Sequence, residues 1–114
     1  MPEERSQQLY IAVLLYESTS ESGGKKPLYE ESFVLIQATS EEEARARAAD
    51  HARRQEARYE NAEGEHIRYS LKHVVDVSPV LDGDLKDGAE LYARHFRDYG
   101  AYHAFEPLLG GSVD

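Results

Sequence analysis

The pattern of apolar and polar positions changes period at Ser40. Before it, Phe33-Val34-Leu35-Ile36-Gln37-Ala38-Thr39 is a nearly continuous apolar run of strand-forming residues. After it, Ser40-Glu41-Glu42-Glu43 opens an alanine- and arginine-rich stretch with helical spacing. Ser40 and Glu43 have the offset of a capping box, which predicts a helix beginning at Glu41. Glu41 with Arg45, Glu43 with Arg47 and Asp50 with Arg54 are acid-before-base pairs, each worth about 0.3 kcal/mol on an exposed face. The opposite stripe, Ala44, Ala48, His51 and Ala52, is small, so the helix can lie close to a sheet.

The segment Leu9 to Tyr16 is apolar on both alternating faces, as a central strand covered on two sides must be. Glu17 to Pro27 then reads as a loop, and Leu28 to Thr39 as a second strand that enters from a polar edge and ends buried. The two strands make an antiparallel hairpin. Within the loop, Gly23-Gly24-Lys25-Lys26 lacks the spacing of a phosphate cradle and precedes a strand, not a helix N-terminus. A short strand is predicted at Tyr59 to Ala62 and a turn at Asn61-Ala62-Glu63-Gly64-Glu65.

From His66 to Val80 the residues alternate strictly. Ile67, Tyr69, Leu71, His73, Val75 and Val77 fall on one face, and Arg68, Ser70, Lys72 and Asp76 on the other. Pro79 and Asp82-Gly83-Asp84 break the strand. Asp87 with Glu90 offers a second cap, followed by Leu91, Tyr92, His95, Phe96 and Tyr99 at helical spacing and a stop at Gly100. Ala101 to Leu109 is too apolar for a free tail and is expected to pack on the domain or on another subunit. The elements add up to an α+β fold in ββαββα order, a mainly antiparallel sheet of about four strands with one crossing helix and a C-terminal helix on one face. Residues 1–114 read as a single domain, with 1–8 and 110–114 as flexible ends.

Composition narrows the chemistry. With no cysteine, disulfide and thiolate chemistry are excluded. The formal charge of −9 opposes binding to nucleic acid or anionic membrane. The start Met1-Pro2-Glu3-Glu4-Arg5 lacks the pattern of a signal peptide, and the apolar run Tyr10 to Tyr16 is far below the roughly 20 residues of a membrane helix, so a soluble, cytoplasmic protein is expected. The histidines at 51, 66, 73, 95 and 103 include no His-x-x-x-His pair, so neither a metal nor another cofactor is expected. His73 stands out because strict alternation puts it on the apolar face, where an imidazole needs a partner.

Glu30 and Glu31 sit in a strand that is becoming apolar, so an inward carboxylate there needs a cation, with Arg68 and Arg94 available. No serine has the flanking glycines of a nucleophile elbow. Glu30, Glu31, Glu63 and Glu65 are the carboxylates available for acid–base hydrolysis, a reaction that depends on a separation the sequence does not contain. The eight tyrosines suit half-buried positions and interfaces, and the densest aromatic stretch is Tyr92, Phe96, Tyr99, Tyr102 and Phe105.

Taken together, Leu28-Tyr29-Glu30-Glu31-Ser32 with Val34-Leu35-Ile36, Ser40-Glu41-Glu42-Glu43-Ala44, Tyr59 to Glu65 and Glu90-Leu91-Tyr92-Ala93-Arg94 resemble a bacterial family, the domain of unknown function 4288, from about Tyr10 to Arg97. The resemblance implies a small single-domain protein and no particular activity. It makes Glu30, Glu31, Asn61, Gly64, Glu65 and Arg94 the candidates for a shared site. The chain departs from the pattern at Leu9-Tyr10, where the resemblance calls for a tryptophan beside the tyrosine. The reading these features favour is a non-catalytic interaction module acting through an acidic and aromatic surface, on a partner protein or a second copy. One alternative is a ligand or enzymatic site on Glu30, Glu31, Asn61 and Arg94, with Glu65 beside it; another is an acidic antidote that covers a basic partner protein.

Overall fold

The computed structural model describes residues 6–21 and 25–109. Residues 1–5 of the expected flexible end 1–8, the whole of the expected flexible end 110–114, and Gly23 and Gly24 of the glycine–lysine motif lie outside the described residues. Strands β1 (Gln8–Ser20), β2 (Leu28–Ala38), β3 (Ala57–Glu60) and β4 (His66–Pro79) form one antiparallel sheet in the order β2-β1-β4-β3. Helix α1 (Glu41–Gln55) joins β2 to β3, and a short helix α2 (Tyr99–Phe105) lies near the C-terminus. The α+β class and the ββαββα order follow the pattern of the sequence. Strand β1 is longer than its apolar run, extending through Ser20 into the expected loop, because its polar end pairs with Arg68 and Ile67 of β4.

β1 is central and buried on both faces. Tyr10, Ala12, Leu14 and Tyr16 pack toward α1 with Ile36, Ala38 and Val77, while Ile11 and Val13 form a smaller cluster with Val80, Leu9 and Tyr92. Ala44, Ala48 and Ala52 of α1 are fully buried, and their small side chains let the helix axis approach the sheet. Ser40 caps α1 by accepting from the Glu43 amide at 3.1 Å. Glu43 reaches one residue further back than in the usual box, accepting from the Thr39 amide at 2.6 Å and its hydroxyl at 3.0 Å. The pairs Glu41–Arg45 and Glu43–Arg47 form, but Asp50 pairs with Arg53 instead of Arg54. Arg54 is left on the flank of α1 beside β2, where His51 also sits, half-buried and outside the alanine stripe.

Three expectations are corrected. Strand β2 ends half-buried: it is an edge strand covered by α1 on one face only, so Ile36 and Ala38 are buried while Phe33 and Leu35 stay 58% and 48% exposed. The strict alternation of β4 fails because its pairing with β1 shifts register twice, between Val13 and Leu14 and between Leu15 and Tyr16. Val75 and Lys72 are the extra residues of these two bulges, and each bulge reverses the alternation. Val74, not Val75, therefore packs into the core, and His73 pairs with Leu15 on the face away from α1, where it is exposed.

The second helix is also displaced. Residues 90–98 are not helical, and α2 starts at Tyr99, one residue before the expected stop. The Asp82 side chain, not Asp87, takes the Glu90 amide at 2.8 Å, and the backbones of Asp82 and Glu90 pair across a turn containing Gly88 at φ +86°. That turn lays Tyr92 on the sheet and unwinds the segment that periodicity made helical. Replacing Ala48 by Leu is expected to lower stability by about 1–3 kcal/mol through overpacking, whereas Leu at exposed Ala46 is expected to change it by less than about 0.5 kcal/mol, as read from urea midpoints.

Candidate functional site

The candidate residues are distributed over three places. Asn61 and Glu65 close the β3–β4 turn. The Asn61 side-chain oxygen Oδ1 accepts from the amides of Glu63 and Glu65, both at 2.9 Å, and its Nδ2 donates to Glu65 Oε1 at 3.0 Å. Gly64, at φ +82°, supplies the left-handed step this turn needs. Lys25 Nζ reaches the same Glu65 oxygen at 3.0 Å and Glu63 at 3.7 Å. These bonds, the Asn61 amide foremost and Lys25 after it, hold the Glu65 carboxyl below its ordinary range. The group is a hydrogen-bonded lock between the turn and the start of β2, with its carboxylate already occupied.

Glu30 lies on the α1 side of the sheet, opposite Tyr16. The Tyr16 and Tyr69 rings stack at 4.6 Å, and the Tyr69 hydroxyl donates to Glu30 Oε1 at 3.2 Å. Burial above all, and then the Glu30 charge, push the Tyr69 hydroxyl up to about 12. Glu56 sits at the C-terminal end of α1, where its Oε2 accepts from the Leu71 amide at 2.8 Å, the role a strand carbonyl would fill if β3 were longer.

Glu31 faces the other way, opposite Leu15, as does the region around Tyr92. The Tyr92 hydroxyl donates to Asp76 Oδ2 at 2.5 Å, Ser78 donates to the same oxygen at 3.1 Å, and the Tyr92 ring meets Phe33 at 5.9 Å. Tyr92 is pushed up to about 12, by burial first and the Asp76 bond second. The Asp76 carboxyl is held below its ordinary 3.8 chiefly by Tyr92, with Ser78, the Val77 amide and the more distant Arg94 charge adding to it. Arg94 makes no ion pair with Glu30 or Glu31 among the described residues, and Asn61 stands at the far end of β4. The proposed quartet Glu30, Glu31, Asn61 and Arg94 is thus not brought to one place. Nor do three His, Asp or Glu side chains converge as metal ligands among the described residues.

The aromatic candidates divide as well. Tyr92 belongs to the body, half-buried at the second core cluster. Phe96, Tyr99, Tyr102 and Phe105 lie on the segment beyond it, where α2 has no buried residue and forms no packed interface with the sheet or α1. Phe96 stacks on Tyr102 at 4.9 Å, Asp98 caps α2 through the Ala101 amide at 3.0 Å, and Tyr99 and Phe105 remain 66% and 73% exposed. Asp76 escaped the sequence reading because its partner is sixteen positions away and arrives only when the 82–90 turn closes. The apolar and tyrosine pattern around residue 92 was the available signal, but a helix explained it equally well.

The Tyr92–Asp76 bond has a defined pH window. A tyrosine raised from its ordinary 10.0 keeps its proton in the folded state after the unfolded chain has lost it, so its contribution is complete below pH 10 and is lost as pH rises through about 12. A lowered Asp76 contributes above 3.8 and loses that contribution as pH falls through its folded value. The stability deficit of Tyr92→Phe, measured by urea titration, is expected to be largest between those limits and to shrink on both sides. Alkaline titration of tyrosinate absorbance should show Tyr16 and Tyr29 titrating late and two groups latest of all, near 12, with Tyr69→Phe and Tyr92→Phe each removing one of the latter.

A family model described as a domain of unknown function (DUF4288) matches residues 9–93. No curated protein and no solved structure matches the chain. No helix among the described residues is long and apolar enough to cross a membrane.

Proposed function

This chain belongs to the family of the domain of unknown function 4288, and from that premise we propose that it is a non-catalytic, cytoplasmic protein-interaction module that engages its partner through the aromatic segment 96–108. The observation that carries this reading is the exposure of Phe96, Tyr99, Tyr102, Phe105 and Leu108 on a segment that does not pack on its own domain. A fully covered aromatic side chain buries about 150–250 Å², and these four, 42% to 73% exposed, supply with Leu108 a large part of the roughly 800 Å² per partner of a standard interface. The rest of the surface is acidic, which suits exclusion of wrong partners and electrostatic steering toward a basic one. The scattering of Glu30, Glu31, Asn61 and Arg94 supports the same reading over a ligand site built on them.

The test is Tyr99→Ala with Phe105→Ala. Both side chains are exposed, so the double variant is expected to keep the wild-type urea midpoint to within about 0.5 kcal/mol. It is also expected to lose either the self-association seen by sedimentation velocity or the protein retained from a cell lysate. Unchanged association and unchanged retention in the variant would refute the aromatic segment as the contact.

A further inference from the structure

We infer that the free edge of β2 is a second docking site, which takes an extended segment of a partner protein in which acidic residues alternate with apolar ones. This site is separate from the aromatic segment and does not depend on it. Edge strands are normally blunted by charge, by shortness or by cover, because their unpaired backbone groups template another strand. The opposite edge of this sheet, β3, is only four residues long. β2 has eleven residues, and its first half is guarded by Glu30 and Glu31. Its second half, Phe33 to Ala38, has no charged residue at all.

That unguarded half is the part that borders a groove. The groove has a volume of about 590 Å³ and runs between β2 and α1, with Leu35, Ile36 and Gln37 on the strand side and Arg47, His51 and Arg54 on the helix side. Arg47 and Arg54, with His51 between them, recur at one flank of α1, spanning about 10 Å at 1.5 Å per residue. In a chain of net charge −9 they are poorly neutralised. Arg47 is 3.9 Å from Glu43, while His51 and Arg54 have no ion-pair partner among the described residues. Asp50 also lines the groove, and its carboxylate is taken by Arg53 at 3.5 Å.

A strand added beside β2 has its own two faces, which fix the chemistry of the occupant. Side chains on the α1 side come to lie by Ile36 beneath the basic flank and meet positive charge. Side chains on the other side come to lie by Phe33 and Leu35, which are large, apolar and about half exposed. Carboxylates two residues apart on a strand are separated by about 6.6 Å, so two of them fit within the basic row. A second copy pairing through β2 fits less well, because it would bring another Arg47–His51–Arg54 row to the same seam.

The probe is a synthetic seven-residue peptide of alternating valine and glutamate, compared with its valine–lysine counterpart, titrated into the full chain and followed by backbone and histidine-ring NMR. The valine–glutamate peptide is expected to give saturable shifts at residues 33–38 and His51, and the lysine peptide none. Arg47→Glu with Arg54→Glu, both on the exposed helix surface, is expected to weaken the first peptide at least tenfold and to admit the second. Tyr99→Ala with Phe105→Ala should leave both results unchanged, which separates failure of this site from failure of the aromatic segment. The inference is overturned by absence of saturable shifts in the wild type, by equal binding of the two peptides, by indifference to the charge reversal, or by concentration-dependent protection of the 33–38 amides without peptide, which would assign the edge to a second copy.

Discussion

A strand that is apolar on both faces is the constraint from which this structure follows. Tyr10 to Tyr16 cannot stay in water on either side, so the chain must supply two covers. The first is α1, which the alanine stripe allows to approach closely. The second has no regular structure: it is the stretch around Val80 and Tyr92, held by a short paired turn and by the Tyr92–Asp76 hydrogen bond. That bond also satisfies a carboxylate that would otherwise face an apolar cluster, so it both anchors the cover and lowers the cost of Asp76 at that position.

The two bulges in β4 serve the same constraint. Without them, the alternation of β4 would put His73 and Val75 under α1 and carry Val74 to the opposite face. Each extra residue resets the phase, so Leu71, Val74 and Val77 meet the helix side while Asp76 and Ser78 point to Tyr92. The bulges therefore position the Asp76–Ser78–Tyr92 cluster on the second face, and they explain why a histidine that looks like a core residue is at the surface.

Covering β1 leaves other surfaces uncovered. α1 serves the α1 side of β2 alone, and Phe33 and Leu35 emerge on the other side beside the Tyr92 root. Beyond that root the chain does not pack on the sheet or α1, and Phe96 and Tyr102 stack on one another instead. Three of the carboxylates, by contrast, are bound up in local structure: Glu43 in the cap, Glu65 in the turn and Glu56 at the C-terminal end of α1. Apolar, aromatic and locally basic surfaces are thus left uncovered among the described residues, on a protein whose total charge is acidic.

Local rules were enough for most of the fold. The Ser40 cap, the three alanines of the stripe, the two-faced β1 and the Asn61–Gly64 turn each depend on residues close together in the chain, and each is present as the sequence reads, with His51 alone leaving the stripe. The bulges, the displacement of the C-terminal helix and the dispersal of Glu30, Glu31, Asn61 and Arg94 were not legible, because each is decided by pairing between distant segments. Periodicity cannot count a residue that a partner strand skips. Helical spacing from Leu91 to Tyr99 cannot outweigh a tyrosine drawn onto a sheet face by a carboxylate sixteen positions away. The sequence by itself determined that β1 must be buried on two faces and where the first helix starts; only the tertiary structure decided which faces remained open, since that depends on how far each cover reaches.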